Sequence, residues 1–245
     1  MIGIIDFNPK AGTDEDRIRY VEKISALLPR NANAEGILFR EACDLSRYSG
    51  LILTGSALSA AQYQRMARAS EIEGEDYRAV DVVARQLADY RGDVFGICFG
   101  AQLAAFVAGG EVGSLDGMEV GYLPHELTEA GKRDPVFGHL PHNFFGSHLH
   151  RDFVSKLPEG GAVLATRNSM IYAYRLQIAD SVWYGSQPHP EMSTRENAPT
   201  FMWNAVRKWM AGADDLADEC KSGVPEGADY GISQTLGKFA GLVKG

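Results

Sequence analysis

Cys98 lies in the run Gly96-Ile97-Cys98-Phe99-Gly100, and His189 in Gln187-Pro188-His189-Pro190-Glu191. A cysteine flanked at two residues by glycines suits a sharp strand-to-helix turn, where crowding admits only small neighbours. Such a turn presents the sulfur at the carboxyl edge of a sheet, and the first turn of the following helix favours thiolate over thiol. A thiolate nucleophile also needs an imidazole to manage its proton and a carboxylate to hold that imidazole in one tautomer. Prolines on both sides of His189 predict an extended backbone there, so that His189 and Glu191, two apart, project to one side. Cys98, His189 and Glu191 therefore make a candidate catalytic triad for covalent catalysis.

Other reactive side chains carry weaker signals. Cys43 and Cys220 have no comparable context and are read as structural; three scattered cysteines make neither a disulfide framework nor a zinc site. The alternation His148, His150, Asp152 places possible metal ligands on one strand face, but no fourth ligand has obvious spacing, and no metal is expected.

The elements that must position these residues are legible from apolar patterning. Buried strands are predicted at Ile2–Phe7, Gly36–Phe39, Leu51–Thr54 and Val94–Ile97, with helices at 14–28, 75–90 and 101–108. Alternation of strand and helix predicts a mostly parallel sheet covered on both faces. Segments 119–128, 162–166, 171–176 and 182–186 read as added antiparallel or mixed strands, followed by a helix at about 195–210. The simplest division is one α/β domain over 1–211 and a C-terminal, helical extension over 212–245. A net charge of −8 disfavours nucleic acid or an anionic membrane as partner. With no signal-peptide pattern and no long apolar run, a soluble cytoplasmic protein is expected.

The segments GICFGAQ (96–102) and QPHPE (187–191), in that order, resemble the class I (triad) glutamine amidotransferases, most of all the amidotransferase domain of GMP synthase and its free-standing relatives. Gly50–Ser56 resembles the family's oxyanion strand and loop, and Ser147–Asp152 its SH and HxD elements, placed by the resemblance in a loop before a strand. The family's oxyanion loop is usually Gly-Gly-Pro, where this chain has Thr54-Gly55-Ser56. The resemblance implies a mixed, mostly parallel sheet flanked by helices and a γ-glutamyl thioester on Cys98. It assigns the oxyanion hole to the amides of Gly55 and Phe99, and substrate contacts to Gln102, Ser147 and His148. It implies no metal and no organic cofactor.

Three functions follow from this. The first is a glutaminase-type amidotransferase that releases glutamate and ammonia; no phosphate-binding loop occurs in the chain, so ammonia transfer would need a separate synthetase or acceptor subunit. The second is a stand-alone γ-glutamyl hydrolase acting on another γ-glutamyl compound. The third is a silent binding or regulatory module.

Overall fold

The computed structural model describes residues 1–13, 19–41, 44–198 and 230–243. Cys43, Cys220, the start of the helix expected from residue 14, most of the helix expected at 195–210 and the 211/212 boundary fall outside the described residues.

Nine strands form a single sheet in the order β2-β1-β3-β4-β9-β8-β7-β5-β6. The first five in that order are parallel: β2 (Ala34–Leu38), β1 (Ile2–Asp6), β3 (Gly50–Leu53), β4 (Asp93–Ile97) and β9 (Ser181–Ser186). The rest pair antiparallel: β8 (Met170–Ile178), β7 (Ala162–Arg167), β5 (Glu111–Leu127) and β6 (Asn143–Lys156). The sheet is mixed, as expected, but not mostly parallel: four strand pairs are parallel and four antiparallel, because the later segments add a full antiparallel half.

The parallel strands read as unbroken apolar runs because both faces are covered. Along β3, Leu51 and Leu53 enter one core while Ile52 enters the other; along β4, Val94 and then Phe95 and Ile97 divide the same way. One core is closed by α2 (Ala60–Ala69), α3 (Glu75–Asp89) and α4 (Phe99–Val107), which contribute Tyr63, Val80, Leu87 and Leu103. The other takes Tyr20 and Ile24 from α1 (Tyr20–Ser25). A short helix, α5 (Glu129–Lys132), follows β5. Near the C-terminus a 3-10 turn (Gly231–Gln234) leads into α6 (Thr235–Leu242), whose Leu236 and Phe239 are buried in the second core. The Phe239 ring lies 5.5 Å from that of Phe95, on the strand that ends at Cys98.

Two elements differ from expectation. Helix α2 is not anticipated from the sequence; it is started by Ser59, whose side chain accepts the Gln62 N–H, and it buries Ala60, Ala61, Tyr63 and Gln64. Segment 147–152 is not a loop before a strand but the middle of β6, paired with β5 from Glu126↔Asn143 to Glu111↔Lys156. Its polar side chains find partners in distant segments: Ser147 at the Met192 carbonyl, His148 at His125 of β5, and Asp152 at Ser59 and Ala61, which no local pattern reveals.

Phe239→Ala empties a buried aromatic site between α6 and β4. It is expected to destabilise the chain by about 3–5 kcal/mol, read from the denaturant midpoint; a loss below about 0.5 kcal/mol would show that α6 is not part of the core.

Candidate active site

The carboxyl ends of three neighbouring parallel strands converge on one point. β3 leads into Thr54-Gly55, β4 into Cys98 and β9 into Gln187. Cys98 has φ 49° and ψ −108°, a left-handed conformation that a side chain bears only at a cost of about 1–3 kcal/mol. Two hydrogen bonds hold it there. Cys98 N–H donates to the Ser186 carbonyl at 2.8 Å, and Gly100 N–H to the Thr54 carbonyl at 3.1 Å. The flanking glycines are required by close approach: a Cβ on Gly100 would lie 2.3 Å from the Leu53 oxygen, and one on Gly96 2.5 Å from the Ala101 nitrogen.

His189 reaches the sulfur from β9 by way of β6. Its N–H donates to the Ser147 carbonyl at 3.0 Å, forming an isolated bridge between the two segments. Ser193 Oγ closes the arrangement, accepting from Ser147 N–H and donating to the His189 carbonyl. The backbone is extended at His189 but turns at once into a 3-10 turn, Pro190–Met192. The expected two-residue alternation is thus replaced by a turn, yet the side chains still meet: His189 Nδ1 lies 2.7 Å from Glu191 Oε1. Both are buried, and Glu191 Oε2 has no hydrogen-bond partner among the described residues.

Burial alone would depress the imidazole, but the Glu191 carboxylate and the hydrogen-bonded Cys98 sulfur outweigh it and raise His189 well above its ordinary value. Tyr20 of α1 stacks on the ring, centroids 6.2 Å apart. Gly55 presses on its edge: a Cβ there would stand 2.6 Å from His189 Cε1. Phe99, the first residue of α4, has no intrahelical acceptor for its N–H. Gly55 and Phe99 therefore both bring backbone to the rim of the sulfur site.

The residues expected to touch substrate are placed differently from one another. Gln102 is buried on α4, with Nε2 donating to the Asp152 carbonyl at 2.7 Å and to Gln187 Oε1 at 3.0 Å. Ser147 is buried beneath the His189 segment, its hydroxyl donated to the Met192 carbonyl. His148 is fully buried between His125 and His150. Asp152 supports a helix rather than the site: its Oδ2 accepts from Ser59 Oγ and Ala61 N–H at the start of α2. Two residues near the sulfur were not singled out by type and spacing. Gln187 Nε2 donates to Cys98 Sγ at 3.5 Å, and its motif position was the available signal. Tyr20 had none, because it arrives from a distant helix.

The model of the class I glutamine amidotransferases matches residues 73–209. The chain belongs to this family. It is 29% identical over 169 residues to a γ-glutamyl-L-1-hydroxyisopropylamide hydrolase from a Pseudomonas species, covering 63% of this chain and 50% of that protein. It is 33% identical over 113 residues to a glutamine-hydrolysing GMP synthase subunit of Methanocaldococcus jannaschii, covering 45% and 57%. Each alignment spans less than two thirds of the relative's own length. Among solved structures, a glutamine amidotransferase from Thermotoga maritima superposes with TM-score 0.60 at 16% identity, covering 98% of this chain and 97% of that one. Another, from Methylobacillus flagellatus, gives 0.62 at 18%, covering 98% and 90%. At these identities the likeness establishes the fold. No helix among the described residues is long and apolar enough to cross a membrane.

Because the folded His189 value lies above its unfolded one, the pair's stabilisation is full below about pH 6.5 and is lost as pH rises through the folded value. Glu191→Gln removes the main group that raises it. The variant is expected to lose stability at neutral pH relative to the parent and far less at high pH, and its activity is expected to fall about 10²–10⁴-fold. Unfolding curves across pH, with kcat/KM profiles, check both; an unchanged pH dependence would refute the pairing.

Proposed function

We propose that this chain is a cysteine-dependent hydrolase of γ-glutamyl amides, with Cys98 as nucleophile, His189 as acid and base, and Glu191 as the group that orients His189. The observation that carries the reading is the positive-φ cysteine in hydrogen-bonding contact with a buried imidazole whose Nδ1 is held by a carboxylate. The first substrate proposed is glutamine.

Cys98 passes its proton to His189 as its sulfur adds to the side-chain carbonyl carbon, and the carbonyl oxygen takes the negative charge. The Gly55 and Phe99 amides receive that oxyanion; one such donor contributes about 3–4 kcal/mol to lowering the barrier. His189 passes a proton to the departing nitrogen, ammonia leaves and the γ-glutamyl thioester remains. Water, deprotonated by His189, then attacks the thioester; glutamate leaves and the thiol is restored. Gln187, by donating to the sulfur, positions Cys98 for attack. No metal or organic cofactor enters this sequence of steps.

Delivery of the ammonia to an acceptor would require a separate synthetase partner. The similarity to the Methanocaldococcus jannaschii protein, itself named as one subunit of a GMP synthase, supports that reading. A second reading has a specific observation behind it. The Pseudomonas relative is named as hydrolysing a γ-glutamylated amino alcohol, so a γ-glutamyl alkylamide, with amine rather than ammonia leaving, uses the same acyl chemistry and a wider leaving-group pocket.

Glutamate release measured from glutamine and from a series of γ-glutamyl alkylamides separates the two, and Cys98→Ala is expected to abolish both turnover and labelling by a glutamine-like electrophile. Retained turnover in Cys98→Ala would refute the mechanism; alkylamide cleavage with inert glutamine would transfer the assignment to the second reading.

A further inference from the structure

A buried cluster beside the catalytic residues takes no part in the steps above. Glu119 on β5 and His148 and His150 on β6 bring one ligand atom each to a single point: His150 Nε2 lies 3.0 Å from Glu119 Oε2 and 3.1 Å from His148 Nδ1, and the third edge, His148 Nδ1 to Glu119 Oε2, is 3.9 Å. A four-coordinate zinc-type ion about 2.0–2.1 Å from each atom needs edges of about 3.3–3.4 Å, so the two short edges are close to that value and the 3.9 Å edge must close by about half an ångström on binding.

At that point the His150 ring meets acceptors on both sides. His150 Nδ1 faces the Asp152 carbonyl at 3.0 Å and its Nε2 faces the Glu119 carboxylate. Both neighbours are acceptors, and a neutral imidazole carries one proton for the two. The far nitrogens are held as they are in metal-bound histidines, His150 by a backbone carbonyl and His148 Nε2 by His125 Nε2 at 2.9 Å. Glu119 is itself fixed by Arg167 at Oε1 and by the Tyr172 hydroxyl at Oε2.

We propose that Glu119, His148 and His150 form a binding site for a divalent transition ion of the zinc type, with three protein ligands and one open position. Asp152, the third member of the alternating sequence pattern, is not a ligand; Glu119 of the neighbouring strand replaces it. The ion fastens β5 to β6 next to the Ser147–His189 bridge. A chain of hydrogen bonds runs from the cluster to the nucleophile, from His150 to the Asp152 carbonyl, through Gln102 and Gln187, to Cys98 sulfur.

The probes are Co²⁺ and Zn²⁺ added to full-length, metal-stripped Cys98→Ala protein, a background that removes thiolate binding at the catalytic site. Uptake of about one equivalent, with the visible absorption of four-coordinate cobalt, is expected. Glu119→Gln and His150→Ala should abolish it with the far-ultraviolet circular dichroism retained. His125→Phe, which keeps the ring stack and withdraws only the nitrogen behind His148, should weaken it about 10–100-fold. Absence of uptake, or uptake indifferent to Glu119→Gln and His150→Ala, overturns the proposal. Should those two variants misfold, an unchanged affinity in His125→Phe overturns it alone.

Discussion

The hydrogen bond from Cys98 N–H to the Ser186 carbonyl joins the ends of two parallel strands that are far apart in sequence. It stands at the ladder's last rung, just beyond Ile97↔Ser186, and everything at the site depends on it. Without that pairing the left-handed turn at Cys98 would have no surrounding structure to hold it, and the segment bearing His189 would begin from a different place. The bond from Gly100 N–H to Thr54 adds β3 to the same junction. Three strand ends are thus locked together, and the proposed nucleophile, base and oxyanion donors leave from them.

The antiparallel half of the sheet supplies what the parallel half lacks. Long strand β6 offers Ser147 as a backbone partner for His189, and its neighbour His148 starts the buried histidine cluster. Gln102 and Gln187 knit this half to the cysteine turn through side-chain amides bonded to each other, to Asp152 and to the sulfur. Buried polar groups in such a network are stabilising only when each is satisfied. Its members therefore hold one another in place, and Cys98 has a fixed neighbour besides His189.

Much of the fold was legible because its signals are local. Strands β1, β3, β4, β7, β8 and β9 are apolar runs bounded by turn residues, and α3 repeats at helical spacing. Strand β6 was not legible: Ser147, His148, His150 and Asp152 are polar residues that are buried because β5 and the His189 segment cover them. Helix α2 was missed because its buried face is made of Ala60, Ala61, Tyr63 and Gln64, two of them small and one polar, so that it lacks large aliphatic residues at helical spacing although the helix is amphipathic. The family was readable from GICFGAQ and QPHPE, both of which are short and contiguous.

By itself, the amino-acid sequence determined the reactive residue types, the strained turn that glycines at 96 and 100 permit, and the alternation that yields a parallel sheet. Each of these is a property of neighbours along the chain, where sterics and periodicity act over a few residues. Tertiary structure alone decided that Tyr20 lies on the His189 ring, that Gly55 backs against its edge, and that Glu119 rather than Asp152 completes the cluster with His148 and His150. Those contacts join segments from different strands and helices, and only the closing of the sheet brings them within a few ångströms.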